Sequence, residues 1–168
     1  MNRAWIPNQA TWNNATTAQA WSIAGAQGGA DRGSTSLATI TGSGTAAIAF
    51  NASGRGVVQS WFTSATNNGF ILQDYASTNG ANIAHCDATT AASRPPLVVV
   101  TNMGTVTVRN GVSPAATYSG CTDVAIASGV NPETTNWDNS NNFELDTTKS
   151  IWVSVDLTSI PPWSTVLS

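Results

Sequence analysis

The sequence predicts an all-β protein, specifically a jelly-roll-like β-sandwich with one short helix, built from two half-domains. Apolar residues recur mostly with a period of two, in short runs rich in β-branched residues that are separated by Gly, Asn and Ser. A single segment has helical spacing instead. A chain of 168 residues is long enough for one domain with a sizeable core. Many short strands with one helix are typical of a sandwich.

Several segments have the alternating pattern of a strand. The unbroken apolar run Leu97–Val100 predicts a strand that is covered on both faces, and Arg94-Pro95-Pro96 keeps the entry to it extended. The predicted strands are Ser34–Ile40, Ala46–Phe50, Gly69–Tyr75, Ala81–Cys86, Leu97–Thr101, Thr105–Arg109, Asp123–Ser128, Asn142–Asp146, Ser150–Asp156 and Thr165–Ser168.

The helix is predicted over Gly54–Phe62. Asn51 or Ser53 offers a side-chain oxygen that can cap its first turn. Its apolar side chains fall on one face, as expected for a helix that packs against a sheet. The residues on that face are Val57, Val58, Trp61 and Phe62.

The charge content restricts the possible partners. Charged residues make up only 9% of the chain, which has one lysine, Lys149, and one histidine, His85. The few basic residues are scattered, which excludes the clustered positive charge that nucleic acids need. No apolar run reaches the roughly 18 to 20 residues of a membrane span. A surface of Ser, Thr, Asn, Gly and Ala favours packing against copies of the same chain or a coat of sugar.

Two cysteines, Cys86 and Cys121, lie in polar, turn-rich sequence and form no CxxC motif, which argues against a thiolate metal site. They form either a disulfide, which we favour, or two free buried thiols. A disulfide implies an oxidising, extracellular compartment.

The two ends of the sequence read as one strand. Ser164–Ser168 would continue without interruption into Met1–Ile6 if the ends were joined. This predicts one period of a tandem array, or a subunit that its neighbour completes.

Several motifs resemble the DNRLRE-domain family, β-sandwich modules of secreted and surface proteins of bacteria and archaea. Thr11–Asn14 is similar to the family's TWN motif, and Arg94–Val99 is similar to its closing RPxLxV strand. Val57–Trp61 followed by Asn67–Leu72 is similar to its helix–strand unit. Val155–Pro161 is similar to its FDLSSIP segment, although Val155 stands where Phe is usual.

The order of these motifs is circularly permuted relative to the family. Residues 1–102 resemble the C-terminal half of such a sandwich and residues 103–168 the N-terminal half, with Asn102–Gly104 as the hinge between them. Residues 103–168 then either fold back on residues 1–102 of their own chain or complete the next unit. The second arrangement does not close and produces a filament.

No enzymatic activity is predicted. His85 has no GxSxG nucleophile motif to serve, and its strand pattern indicates an ordinary sheet histidine. The carboxylates that could act in glycoside hydrolysis show no informative spacing; these are Asp74, Asp87, Asp123 and Asp156.

Calcium is the predicted ion. Hard oxygen ligands are densest in Asn136–Asn142, and Asp123, Asn136 and Asp138 are the first candidate ligands. The segment lacks the central Gly of an EF-hand. The alternative is a polar turn whose side chains bond to their own backbone.

Two features of the sequence concern sugar: sites where a glycan could be attached and tryptophans that could bind one. Sequons for N-glycosylation occur at Asn14 and Asn51. The chain also has seven tryptophans, of which Trp12, Trp61 and Trp152 fall in the family motifs and are expected in the core. Trp5, Trp137 and Trp163 lie near the proposed seam and favour an interface, although exposed tryptophans could instead stack on sugar rings.

The sequence therefore predicts a structural repeat or subunit of an extracellular filament or surface stalk, assembled head-to-tail by half-domain complementation. The alternative is a carbohydrate-binding module of a secreted protein. An adhesin segment is a third reading.

Overall fold

The computed structural model describes residues 1–40, 47–63, 66–73, 81–129 and 142–168. In these ranges the chain is mostly antiparallel β-structure with one α-helix, α1 (Ala52–Thr63). This confirms the all-β prediction; the jelly-roll arrangement stays a prediction. The strands are β1 (Asn14–Thr16), β2 (Gln19–Ala20), β3 (Phe70–Gln73), β4 (Ala81–Ala84), β5 (Leu97–Thr101), β6 (Gly104–Val108), β7 (Cys121–Ala127), β8 (Asn142–Leu145) and β9 (Lys149–Val155). Ala24–Ala26 and Ala91–Ser93 form short 3-10 turns.

The central sheet has the strand order β3-β9-β7. Successive side chains along its strands point to opposite faces, and both faces are buried. On one face, Val124, Ile126 and Trp152 pack against the N-terminal segment through Trp21. On the other face, Ile151 packs with residues of β8. A sheet covered on both faces explains why nearly every residue of β7 is buried.

Helix α1 packs in a further apolar cluster, together with the β5–β6 hairpin and the end of β9. Asn51 caps it, because the backbone N–H of Gly54 donates to Oδ1 of Asn51 at 3.0 Å. Val58 and Phe62 are buried one turn apart and pack with the β5–β6 hairpin. Gly54 is required at this position, since a Cβ there would lie 2.6 Å from the carbonyl oxygen of Leu37.

Two predicted strands are wrong in the described residues. Ser34–Ile40 forms no strand, and residues 47–50 of the predicted Ala46–Phe50 are irregular. The carbonyl of Leu37 accepts from the backbone N–H of Asn51 at 2.8 Å, so this region organises the start of α1 and joins no sheet. Thr165–Ser168 forms only an isolated bridge, between Val166 and Thr101.

Candidate functional site

The candidate site is the junction between a first segment, residues 1–102, and a second segment, residues 103–168. β3 of the first segment pairs with β9 of the second, β4 pairs with β8, and β5 pairs with β6. Among the described strands, only the small β1–β2 pair lies within one segment and joins no strand of the other. The predicted hinge at Asn102–Gly104 is the tight turn of the β5–β6 hairpin, where Thr101 is opposite Gly104.

A disulfide links the two segments. Cys86, just after β4, is bonded to Cys121, the first residue of β7, with their Cα atoms 5.7 Å apart. Both residues are buried. This confirms the disulfide over two free thiols. Closing a loop between residues 35 apart stabilises a fold by about 4 kcal/mol on the chain-entropy estimate.

A buried polar network surrounds the disulfide. The backbone N–H of Cys86 donates to Oδ2 of Asp123 at 2.6 Å. The side chain of Asn110 pairs with the backbone of Cys121 in both directions, donating to its carbonyl at 2.7 Å and accepting from its N–H at 2.8 Å. These bonds fix the backbone on both sides of the cross-link.

His85 is buried beside this network. The backbone N–H of Asp87 donates to Nδ1 of His85 at 3.2 Å. Nδ1 lies 3.9 Å from Oδ1 of Asp123, and the imidazole ring packs against Phe143 with ring centroids 5.4 Å apart. His85 is buried, but it lies just after β4 (Ala81–Ala84), so the prediction of a histidine within the strand is wrong. The absence of enzymatic activity stays a prediction.

Of the three predicted calcium ligands, the structure describes one, Asp123. Asp123 is buried, and its carboxylate accepts from the backbone of Cys86. Asn136 and Asp138 lie outside the described residues. In the ranges that the structure covers, no group of three or more His, Cys, Asp or Glu side chains could hold a metal. Calcium binding stays a prediction.

The C-terminal residues 164–168 lie along β5 as an extended segment. The backbone N–H of Val100 donates to the carbonyl of Ser168 at 2.8 Å, and the carbonyl of Val100 accepts from Leu167 at 2.8 Å. The segment thus occupies the edge of β5 that β6 leaves open.

Two side-chain amides hold this C-terminal segment in place. Gln59 of α1 donates to the carbonyl of Ser164 at 2.9 Å and accepts from the N–H of Val166 at 2.7 Å. Oδ1 of Asn102 accepts from the N–H of Thr165 at 2.8 Å. These side-chain amides form hydrogen bonds with the backbone of the C-terminal segment, in the place that a neighbouring strand would otherwise take.

The tryptophans are mostly internal. Trp152 is fully buried, with ring centroids 4.2 Å from Trp21 and 5.6 Å from Trp5 in edge-to-face geometry. Trp12 and Trp61 are half-buried. Trp163 is 72% exposed, and Trp137 lies outside the described residues.

The two sequons differ in their accessibility. Asn14 is half-buried within β1. Asn51 is exposed, but its Nδ2 donates to the carbonyl of Ser36 at 2.8 Å while its Oδ1 caps α1. A glycan on Asn51 would therefore replace one hydrogen bond of the cap region. Glycosylation at either position stays a prediction.

The sequence reading missed a buried carboxylate that anchors the N-terminus. Asp31 accepts from Nε of Arg3 at 2.6 Å and from the N–H and Oγ of Ser22 at 2.9 and 2.5 Å. Burial raises the pKa of Asp31, but these hydrogen bonds outweigh it and hold the pKa below 3.8. The one signal for this contact in the sequence was that Arg3 and Asp31 carry opposite charges in a chain with few charged residues.

The chain matches no protein-family model, no curated protein and no solved structure. The resemblance to the DNRLRE-domain family therefore stays a prediction that rests on the motifs alone.

Proposed function

We propose that this chain is a structural repeat or subunit of an extracellular filament or surface stalk. In this proposal the second segment of one unit completes the first segment of its neighbour. The observation that carries the proposal is that β3–β9, β4–β8 and β5–β6 each combine a strand from both segments. Within single segments only β1 pairs with β2 and β7 with β9 among the described strands, whereas β3, β4, β5, β6 and β8 pair only across the two segments. These five strands need the other segment, whichever chain supplies it.

The same contacts form within a unit or between units. Exchanging an identical segment preserves every hydrogen bond and apolar contact except those of the hinge. The hinge is the Asn102–Gly104 turn, and Met103 is 62% exposed there. When each unit passes its second segment forward, the contact does not close and a linear polymer results.

The exchange changes which chains the disulfide joins. Cys86 belongs to the first segment and Cys121 to the second. In an exchanged assembly their bond joins two neighbouring units, and each junction becomes covalent.

An extracellular setting is part of the proposal. A disulfide persists in oxidising compartments, and a charged content of 9% suits a surface that packs against itself. No helix in the described ranges is long and apolar enough to cross a membrane.

A carbohydrate-binding module predicts a pair of exposed tryptophans. Of the six tryptophans that the structure describes, Trp163 alone is exposed. A single exposed tryptophan does not make the pair that a carbohydrate-binding module needs. Together with the strand pairing between the two segments, this favours assembly of units into a filament as the main role.

A denaturing gel of the native material, run with and without reductant and checked by mass spectrometry, tests the proposal. Exchanged subunits give a ladder that collapses to the single-chain mass of 17.3 kDa on reduction. A tandem-repeat polypeptide gives a large species that survives reduction. A single-chain band without reductant contradicts the exchange.

A further inference from the structure

The outer edge of β6 has no neighbouring strand in the described ranges. Along its inner edge β6 pairs with β5, where Thr105 lies opposite Val100. The N–H and the carbonyl of Val100 bond to Ser168 and Leu167 instead. Because both backbone groups of a strand residue point to the same side, Thr105 and, two residues further along, Thr107 direct theirs away from β5. The N–H groups of both threonines and the carbonyl of Thr105 bond to no residue that the structure describes.

The open edge is short, and its far end is fixed by the chain itself. After β6 the chain turns back, and Ser113 pairs with Arg109: the N–H of Arg109 donates to the carbonyl of Ser113 at 2.8 Å, and the reverse bond measures 3.0 Å. Oγ of Ser113 also donates to the carbonyl of Thr107 at 2.7 Å. That carbonyl has a second lone pair and can accept another bond. A further strand therefore has room only along Gly104–Val108.

The edge has none of the usual features that prevent strands of different molecules from pairing. Exposed edges are commonly protected by charged side chains, by proline or by a covering loop. The sequence of β6 is Gly-Thr-Val-Thr-Val, which contains neither a charge nor a proline, and Thr105 is exposed. A second copy of this chain has a net charge of −3 but meets no like charge along the strand itself. The edge belongs wholly to the second segment and faces away from the junction.

The edge is complementary to itself. When two copies of β6 run antiparallel about a two-fold axis at Val106, Thr105 of each copy lies opposite Thr107 of the other. Both residues point outward, so each opposed pair exchanges two backbone hydrogen bonds. Threonines opposite each other on neighbouring strands also stabilise a sheet. A shift by two residues leaves only one such pair within the open stretch, so the edge favours this register.

We propose that the outer edge of β6 is a self-association site, at which two copies of this chain pair β6 with β6 in antiparallel orientation. The contact is isologous, because the same residues take part on both sides. It is independent of the exchange of segments, since Thr105 and Thr107 present the same edge whether β6 pairs with β5 of its own chain or of a neighbour. If units form the filament proposed above, the contact repeats at every unit, and many weak contacts join two filaments side by side.

Charged substitutions at the two threonines test the proposal. Thr105→Lys with Thr107→Lys places like charges opposite each other across the two-fold axis, and Thr105→Glu with Thr107→Glu does so with the opposite sign. Light scattering measures the mean mass of the full chain from about 10 μM to about 1 mM. The mean mass of the unmodified chain should double over this range, and hydrogen exchange at the N–H groups of Thr105 and Thr107 should slow as it does. Each charged variant should associate at least about tenfold more weakly.

An equimolar mixture of the lysine variant and the glutamate variant should associate again, because opposite charges then face each other at every pair. The matched control is Ser34→Lys with Thr35→Lys, which adds the same charge at exposed residues outside the edge. It should associate as the unmodified chain does. Thermal unfolding checks that each variant is folded.

The proposal is overturned if the mean mass of the unmodified chain stays constant, or if the lysine variant associates as strongly as the unmodified chain. It is also overturned if the control loses association to the same extent, which would show a general effect of charge. A mixture of folded variants that stays apart would show that the edge binds a different strand, with the same consequence. None of these substitutions removes a cysteine, so the gel described above tests the exchange of segments separately.

Discussion

The backbone N–H of Cys86 donates a 2.6 Å hydrogen bond to Oδ2 of Asp123. Cys86 belongs to the first segment and Asp123 to the second, so a buried carboxylate bridges the segments directly beside the disulfide that joins them. The junction therefore combines strand pairing, a covalent link and a buried polar contact.

Asp123→Ala should destabilise the fold by about 1–3 kcal/mol, because it leaves the buried N–H of Cys86 without its acceptor. Urea unfolding at neutral pH measures the change. Thr122→Ala is the control, since Thr122 is the exposed neighbour on the same strand, and it should change the stability by less than about 0.5 kcal/mol. Equal effects of the two substitutions would show that the carboxylate contributes nothing special.

Tryptophans at a buried and an exposed position should respond differently to the same substitution. Trp152 is 0% exposed between Trp5 and Trp21, so Trp152→Ala should lower the free energy of unfolding by about 3–5 kcal/mol. Trp163, 72% exposed, should tolerate alanine within about 0.5 kcal/mol. Calorimetry of both variants as single chains measures the difference. A small effect at Trp152 would contradict the packing on this face of the central sheet.

Acid should destabilise the protein in part through Asp31. Its pKa in the folded state lies below the unfolded value of about 3.8, so the folded state favours the ionised form. The resulting stability is complete above that value and is lost as the pH falls through the lowered folded pKa. Stability measured between about pH 5 and pH 2 should decline less steeply in Asp31→Asn. An unchanged slope would show that Asp31 does not contribute to the acid destabilisation.

The two segments should fold only together. Fragments 1–103 and 104–168, each prepared separately, lack partner strands for β3, β4 and β5 or for β6 and β8. Neither fragment alone should show a cooperative thermal transition in circular dichroism, while an equimolar mixture should regain one. Independent, cooperative folding of the first fragment would argue that it needs no completion.

Local signals in the sequence were sufficient where the structure depends on neighbouring residues. β5 agrees with its prediction at both ends, because its apolar run and the prolines before it act within a few residues. The helix was predicted as Gly54–Phe62 and extends over Ala52–Thr63, with Asn51 as its cap. The strand predicted at Ser34–Ile40 failed because a strand also needs a neighbour, which the alternation of one segment cannot reveal.

Contacts between residues far apart in the sequence were the least predictable. The disulfide could be proposed because the chain has only two cysteines. By contrast, Gln59 bonds to Ser164 across 105 residues, and Arg3 bonds to Asp31 across 28. Nothing in the type of these residues distinguishes them from other polar residues. Their roles depend on how the two segments come together.

Mixing two single-cysteine variants tests the exchange of segments most directly. Cys86→Ala retains only Cys121, and Cys121→Ala retains only Cys86, so neither variant can close the disulfide within one chain or between copies of itself. If units exchange their second segments, co-assembly under oxidising conditions should give a species of two chains linked through Cys86 and Cys121, absent from either variant alone. Only single chains in the mixture, with both variants folded, would contradict the account.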